Sequence, residues 1–269
     1  MGWIKEINNM PDQVKEGLYR TLIPPSIFMR FQINPLDFCN AEGQRLARFY
    51  CSPGDVTTLI EVKLTPEDRD CIFSFQLADT TDRIKINWDF IIINDPFAER
   101  VETDIDKRGC DTLFGTAGRN IEAELRAMEL GLWPGQVRQG LSLMPEMMDG
   151  VARFSKMLGI KNISLEALFY HNAILYEHYG FTYFEGYKRL KRIDELFRHG
   201  ILRELMNGVS PFRRPEMADT VWGRSWAIHD GILDEIDDEI IEPPWISPEM
   251  YVMIESPRGS VTFENPKIK

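Results

Sequence analysis

Residues 44–105 repeat one pattern four times: a short run rich in Val, Ile, Phe and Tyr is followed by a cluster of turn-forming residues. Such runs predict β-strands, and the Pro, Gly, Asp and Thr clusters between them predict tight turns. Consecutive strands joined by short turns favour an antiparallel meander. The four runs are RLARFYC, VTTLIEVKL, CIFSFQLA and WDFIIIND. The last is almost entirely apolar, which predicts a central strand.

Helix-forming segments surround this predicted meander. Residues 11–22 predict a short helix, and the apolar run SIFMRFQI after it predicts a strand. Residues 120–131 are rich in strong helix formers. Residues 143–158 place apolar side chains at steps of three and four, which predicts an amphipathic helix with Ser142 as its N-cap.

Beyond residue 160 the pattern alternates: KNISLEALF predicts a strand, NAILYEHY a short helix and FTYFE a strand. The predicted fold class is α/β (α+β), a mixed, mostly antiparallel sheet flanked by helices, with a C-terminal extension. We expect one domain at residues 1–185 and a helical and hairpin extension at residues 186–269 that packs on it. The hairpin turn is predicted at Pro257-Arg258-Gly259.

Charge and cysteine content restrict the partners. The chain has 269 residues, a formal net charge of −11 and four cysteines. An acidic surface repels nucleic-acid phosphates and anionic lipid, and no apolar run reaches bilayer-spanning length, so we expect no nucleic acid and no membrane as partner. No cysteine spacing matches a zinc site and no secretory signal is evident. We therefore expect reduced thiols, a cytoplasmic location and, by default, a homodimer.

The loop PGQVRQGLSL, residues 134–143, runs directly into the predicted amphipathic helix. The first amides of a helix lack internal partners and carry partial positive charge. Gly140 permits close backbone approach and Arg138 adds a cation, so the loop has the features of a pyrophosphate site. Glycine-containing loops also precede many helices that bind no ligand.

The order of elements after this loop resembles the acetyl-CoA-binding half of the GNAT superfamily of N-acetyltransferases. The family often reads Asn, then Ala-Ile, Leu-Tyr-Glu and Gly-Phe, and residues 172–181, NAILYEHYGF, match that reading. The resemblance covers residues 130–184 well and residues 44–110 by pattern. Val137 stands where the family has Arg or Gln, so the chain looks like a divergent member.

The resemblance implies a role for each matching residue. Asn172 would contact the pantetheine arm of acetyl-CoA or another acyl-CoA, and Tyr176 would be the general acid that protonates the leaving thiolate. A tyrosine on a helix is equally a packed core residue with a bonded hydroxyl. The pyrophosphate would be held by main-chain amides of the loop, namely those of Gln136, Val137, Arg138, Gln139, Gly140, Leu141 and Ser142.

Two carboxylates in apolar runs are candidate general bases, Glu166 in ISLEA and Asp89 in NWDFIII. Burial would raise the pKa of either group toward a useful value. Glu166 faces solvent equally well because strand residues alternate faces, and an amine can also lose its proton through water. His171 and His178 have no evident third ligand, so we expect solvated or capping roles and no metal site.

The resemblance therefore implies an acyl-CoA-dependent N-acyltransferase that acts on a small-molecule amine by direct transfer. The alternative is a non-catalytic protein with the acetyltransferase fold that serves as a binding or interaction module. The departures at Val137 and Ser142 favour this alternative, as does the long insertion at residues 107–133.

Overall fold

The computed structural model describes residues 4–81, 85–115, 117–241, 244–256, 261–262 and 267–269. Its helices are α1 (Ile4–Asn8), α2 (Asp12–Tyr19), α3 (Pro25–Arg30), α4 (Ile121–Glu129), α5 (Met144–Leu158), α6 (Tyr170–Glu177), α7 (Tyr187–His199), α8 (Ile201–Leu205) and α9 (Val221–His229). Its strands are β1 (Ala47–Tyr50), β2 (Thr57–Val62), β3 (Phe73–Asp79), β4 (Ile86–Ile93), β5 (Asn162–Glu166), β6 (Thr182–Tyr183) and β7 (Glu249–Met253). The predicted hairpin turn at Pro257-Arg258-Gly259 lies outside the described residues.

Strands β1 to β4 form the predicted antiparallel meander. The register aligns Ala47 with Val62, Val62 with Phe73, and Phe73 with Ile93. Burial alternates along β2 because neighbouring side chains of a strand point to opposite faces. The four apolar runs of the sequence therefore identified all four strands of the meander.

The strand order in the sheet is β1-β2-β3-β4-β5-β7-β6 for the described residues. The β4–β5 pairing is parallel, whereas the pairs β1–β2, β2–β3, β3–β4 and β6–β7 are antiparallel. This arrangement confirms the predicted fold class, a mixed and mostly antiparallel sheet with flanking helices. The apolar run WDFIIIND supplies β4, which is central as predicted because it lies between β3 and β5.

The chain forms two compact units. Unit 1 comprises Met1–Ala98, Gln139–Leu165 and Val252–Pro257. Unit 2 comprises Glu99–Arg138, Glu166–Tyr251 and Arg258–Lys269. The separate proposal of a domain at residues 1–185 with an extension at residues 186–269 stays a prediction.

Helices α2 and α5 of unit 1 pack on each other. Tyr19 of α2 stacks on Phe154 of α5, with ring centroids 6.0 Å apart. Helix α5 also approaches the backbone closely at Gly150, where an added Cβ would lie 2.6 Å from the carbonyl oxygen of Thr21. Any side chain at position 150 would therefore push α5 away from this segment.

Two predictions for the N-terminal helices had different outcomes. The helix predicted at residues 11–22 is confirmed as α2 followed by a 3-10 turn at Arg20–Leu22. The strand predicted for SIFMRFQI is wrong, because most of this run lies in α3. Pro25 occupies the first turn of α3, where its fixed φ suits a helix and its missing N–H costs little.

Helix α5 confirms the predicted amphipathic helix, and Gly159 ends it in the left-handed conformation. The predicted N-cap is wrong. Ser142 is exposed with a φ of 59°, and Leu143 is the N-cap without a side-chain hydrogen bond. The chain therefore enters the helix through a left-handed residue.

Unit 2 joins the insertion that follows β4 to the C-terminal part of the chain. The indole Nε1 atoms of Trp222 and Trp226 both donate to the carbonyl oxygen of Leu132, at 2.8 and 3.1 Å. Trp226 is fully buried. Two donors on one carbonyl fix the segment after α4 against α9. Within the described part of the chain, every helix falls short of the length and apolar character that a bilayer span requires.

Candidate active site

The parallel pairing of β4 with β5 is short. It aligns Ile86 with Ile163, Asn87 with Ser164, and Trp88 with Leu165. Strand β4 then continues five residues further, to Ile93. Residues 90–93 of this continuation are apolar and only half-buried. The edge of β4 beyond Trp88 is therefore an apolar surface that the ladder to β5 does not cover.

A β-bulge lies where this pairing ends. Gln76 of β3 aligns with Phe90 and Leu77 aligns with Trp88, so Asp89 is the extra residue of β4. The Asp89 carboxylate is exposed and accepts hydrogen bonds from Asn87 Nδ2 at 2.6 Å and from Gln76 Nε2 at 3.4 Å. Bulges re-aim side chains and are frequent beside active sites.

The polar contacts continue onto β5. Ser164 Oγ donates to Asn87 Oδ1 at 2.9 Å. Ser164 is buried and Asn87 is half-buried. The chain of contacts Gln76–Asp89–Asn87–Ser164 thus crosses three strands of unit 1. The sequence had singled out Asp89 alone, although the spacing of Asn87 and Asp89 in an otherwise apolar strand could have revealed a polar face.

The predicted pyrophosphate loop begins in unit 2. The Gln136 carbonyl accepts from Thr103 Oγ1 at 2.9 Å, and the Val137 carbonyl accepts from the Val101 amide at 2.8 Å. The side chain of Gln136 also accepts from the Trp133 amide at 3.0 Å. Arg138 is half-buried. Carbonyl groups therefore anchor this half of the loop to Val101, Thr103 and Trp133.

The other half of the loop belongs to unit 1 and lies at the end of β4. The Gln139 carbonyl accepts from the Asp95 amide at 2.8 Å, and Gly140 forms an antiparallel bridge with Asn94. A Cβ at position 140 would lie 3.0 Å from the Ile93 carbonyl oxygen, so glycine permits this approach. Leu141 is half-buried and precedes the exposed Ser142.

The first turn of α5 already holds an anionic side chain. Glu146 accepts hydrogen bonds from the Ser26 hydroxyl at 2.5 Å and from the Ser26 amide at 2.9 Å. The Ser26 hydroxyl, above all, lowers the pKa of Glu146. The helix dipole stabilises this carboxylate. The negative charge of the carboxylate in turn weakens the attraction of the helix N-terminus for a second anion.

Helix α6 uses its asparagine for capping. Asn172 Oδ1 accepts from the Phe169 amide at 3.3 Å, while the Asn172 amide donates to the Phe169 carbonyl at 3.0 Å. Tyr176 lies one turn later, with its ring centroid 5.5 Å from that of Phe181, and burial raises its pKa. Glu166, the last residue of β5, is exposed and not buried as the role of general base required.

The histidines have structural partners. His171 is buried, stacks on Trp133 at 4.6 Å, and places Nδ1 2.7 Å from Ser225 Oγ. Burial lowers the pKa of His171 to about 3. The expected solvated or capping role is wrong for His171 because it is a core residue. His178 places Nδ1 2.9 Å from the Ile174 carbonyl oxygen.

Unit 2 also contains a buried ion network that the sequence did not reveal. Arg119 bridges Glu124 and Asp230, and Arg213 binds the other oxygen of Asp230 at 2.8 Å. His229 Nε2 lies 3.2 Å from Glu124 Oε1. Arg119 and Glu124 are near in sequence, but Asp230 and His229 lie more than a hundred residues further on, so no local pattern identifies the network. All are bound to one another, which indicates that the network holds the insertion to α9.

No protein-family model, curated protein or solved structure matches this chain. The structure itself defines the class: an α+β protein with an open, mostly antiparallel sheet and a short parallel strand pair.

Proposed function

We propose that this chain is an acyl-CoA-dependent N-acyltransferase that acts on a small-molecule amine by direct transfer. The observation that carries the proposal is the short parallel ladder of β4 and β5, which ends at Trp88 and Leu165 although β4 runs on to Ile93. The loop from Gln139 to Leu143 lies at the end of the same strand and leads into α5. The pantetheine arm of an acyl-CoA needs an extended apolar strand edge, and its pyrophosphate needs main-chain amides. Unit 1 contains both.

The chemistry needs a few groups from the chain. The amine lone pair attacks the thioester carbonyl carbon, the new C–N bond forms, and the C–S bond breaks with its electron pair going to sulfur. The CoA thiolate takes up one proton and the amine releases its protons to a base or to water. The resemblance implies Tyr176 as the proton donor to sulfur. A tyrosine hydroxyl is protonated at neutral pH, and burial raises the pKa of Tyr176, which makes it a weaker acid.

The proposed acyl-CoA contacts in unit 1 are main-chain contacts from Gln139 to Ser142. The substitution Gly140→Ala tests whether the loop binds CoA. The added Cβ would meet the Ile93 carbonyl oxygen at 3.0 Å and force the loop to shift. Gly17 is the matched control, since nothing lies within 4 Å of a Cβ at that helical position.

The experiment is calorimetry and thermal unfolding with CoA, followed by thiol release from acetyl-CoA and longer acyl-CoA in the presence of amines. A ligand that binds only the folded state stabilises it by about 2.7 kcal/mol at a hundredfold excess over Kd. We expect CoA to raise Tm, Gly140→Ala to weaken CoA binding and Gly17→Ala to leave it unchanged. No binding of CoA at millimolar concentration would overturn the proposal.

A specific observation favours a second candidate, a non-catalytic protein with this fold that serves as a binding module. The Asn172 side chain caps its own helix, and Glu146 occupies the first turn of α5 with a negative charge. This candidate predicts no thiol release with any acyl-CoA, whether or not CoA binds.

A further inference from the structure

The polar face at the β4 bulge has a feature that the acyl-CoA contacts do not use. Antiparallel sheets commonly leave one face in water, and Asp89 of β4, a strand between β3 and β5, is exposed on such a face. Its carboxylate accepts two amide hydrogen bonds, from Asn87 and Gln76. An ionised carboxylate offers about four acceptor positions, so Asp89 retains capacity for further donors on its solvent side.

The neighbouring residues orient this carboxylate. Asn87 is itself held by Ser164 at 2.9 Å, so its amide points at Asp89 with its rotamer constrained. Side chains that are locked by a second layer of hydrogen bonds make a preorganised binding group. The bulge adds to this, because it places Asp89 outside the regular alternation of the strand.

Apolar side chains share this face of the sheet. By register, Phe90 aligns with Gln76, and Ile92 aligns with Ser74. Residues opposite one another in an antiparallel pair point to the same face, so Phe90 and Ile92 lie on the face of Gln76 and Asp89. Both are half-buried, which leaves part of their surface open beside the carboxylate.

We propose that the acceptor is a primary ammonium cation on an apolar carbon skeleton, and that Asp89 binds its nitrogen on this face. The three N–H donors of an ammonium fit a carboxylate with acceptor capacity to spare, and Phe90 and Ile92 accommodate the carbon chain. The net charge of −11 attracts cations over a longer range. This inference rests on the proposed acyltransferase function and names the substrate class of that site.

The transfer balances with this acceptor. The ammonium releases one proton to water before attack and its nitrogen releases a second after the C–N bond forms, while the departing CoA thiolate takes up one. The products are an amide, CoA thiol and one net proton. Asp89 acts here as the specificity residue that selects a cation over a neutral alcohol or an anion.

The test compares hexylamine and 2-phenylethylamine with hexanol and hexanoate as ligands of matched size. Binding is measured by ligand-observed NMR without CoA, and KM for the amines is measured with acetyl-CoA. Asp89→Asn keeps the oxygen that accepts from Asn87 and removes the charge. Losing a charge-assisted hydrogen bond raises KM and Kd for amines by roughly ten- to a hundredfold.

Two further variants complete the design. Asp89→Glu retains the charge on a longer side chain and should recover part of the amine affinity. Glu67→Gln removes one exposed charge from another part of unit 1 and should leave Kd and KM for the amines unchanged. Thermal unfolding of each variant confirms folding.

The outcomes separate the two proposals. If hexanol binds as well as hexylamine, or if Asp89→Asn leaves amine binding unchanged, the ammonium site is overturned while CoA binding still supports a transferase. If CoA fails to bind, the transferase is overturned, and the NMR measurement without CoA still decides whether Asp89 binds amines.

Discussion

Arg224 Nη1 lies 2.7 Å from Asp194 Oδ1, and the two side chains are only 8% and 10% exposed. Arg224 Nε also donates to the Ala218 carbonyl at 2.6 Å, while Arg198 binds the same carboxylate of Asp194. A buried pair with this many hydrogen bonds satisfies both charges. The pair ties α7 to α9 in unit 2.

Removal of one partner of the Arg224–Asp194 pair should lower the stability of the protein. We expect Arg224→Met to lower the free energy of unfolding by about 3 kcal/mol or more, because it leaves Asp194 buried with less compensation. Urea unfolding measures the change. Arg203 provides the control, since its pair with Asp219 is exposed, and Arg203→Met should have no measurable effect. Equal effects of the two substitutions would contradict a buried, fully bonded pair.

His171 should make the protein sensitive to acid. Its folded pKa is about 3 against an ordinary value of 6.5, because burial disfavours the imidazolium. The unfolded state therefore binds more protons, and stability that is present above pH 6.5 is lost as the pH falls toward 3. The slope attributable to one such group is at most about 1.4 kcal/mol per pH unit.

The measurement is urea unfolding between pH 7 and pH 4. We expect His171→Gln to flatten the loss of stability on the acid side, whereas His199→Gln, at an exposed position, should leave the profile unchanged. A profile for His171→Gln as steep as that of the unmodified protein would show that other groups cause the acid sensitivity.

Gly150 and Gly17 form a matched pair of helical glycines in unit 1. Gly150→Ala should destabilise by about 1–3 kcal/mol, because its Cβ would meet the Thr21 carbonyl oxygen at 2.6 Å. Gly17→Ala should stabilise by up to about 1 kcal/mol, since alanine is the better helix former and nothing lies within 4 Å of the new Cβ. Thermal unfolding decides the signs, and a stabilising Gly150→Ala would exclude the close approach.

Asn172 should contribute to stability independently of any ligand. Asn172→Ala removes the acceptor for the Phe169 amide and should lower the free energy of unfolding by about 0.5–1.5 kcal/mol. Asn172→Asp retains an acceptor oxygen and should recover most of the loss. If Asn172→Ala changes CoA affinity but leaves the free energy of unfolding unchanged, Asn172 contributes to ligand binding and not to helix capping.

Local patterns predicted the elements of this fold well. Apolar runs separated by turn-forming residues identified β1–β4, and a period of three and four residues identified α5. They failed for SIFMRFQI, where an eight-residue apolar run suits either a strand or a short helix. The contact of Ser26 with Glu146 lies across 120 residues of sequence, so the run itself carries no sign of it.

The candidate site was less accessible to sequence reasoning. The composition of the strand drew attention to Asp89, but its exposure depends on a bulge that only the alignment of β3 with β4 reveals. Likewise, Asn172 matches a family motif, while its capping bond to Phe169 depends on where α6 begins. Arg192 of α7 binds Asp238 at 2.9 Å, and this contact too joins residues that are distant in sequence.

The Leu132 carbonyl that accepts from Trp222 and Trp226 has a consequence for biosynthesis. A ribosome releases the segment containing Leu132 some ninety residues before α9 emerges, so the earlier segment waits without its two indole donors. Unit 2 cannot close co-translationally until α9 has left the ribosome. Nascent chains stalled before Trp222 should therefore remain open to proteases at the insertion, whereas chains stalled far enough beyond His229 for α9 to have left the exit tunnel should be resistant.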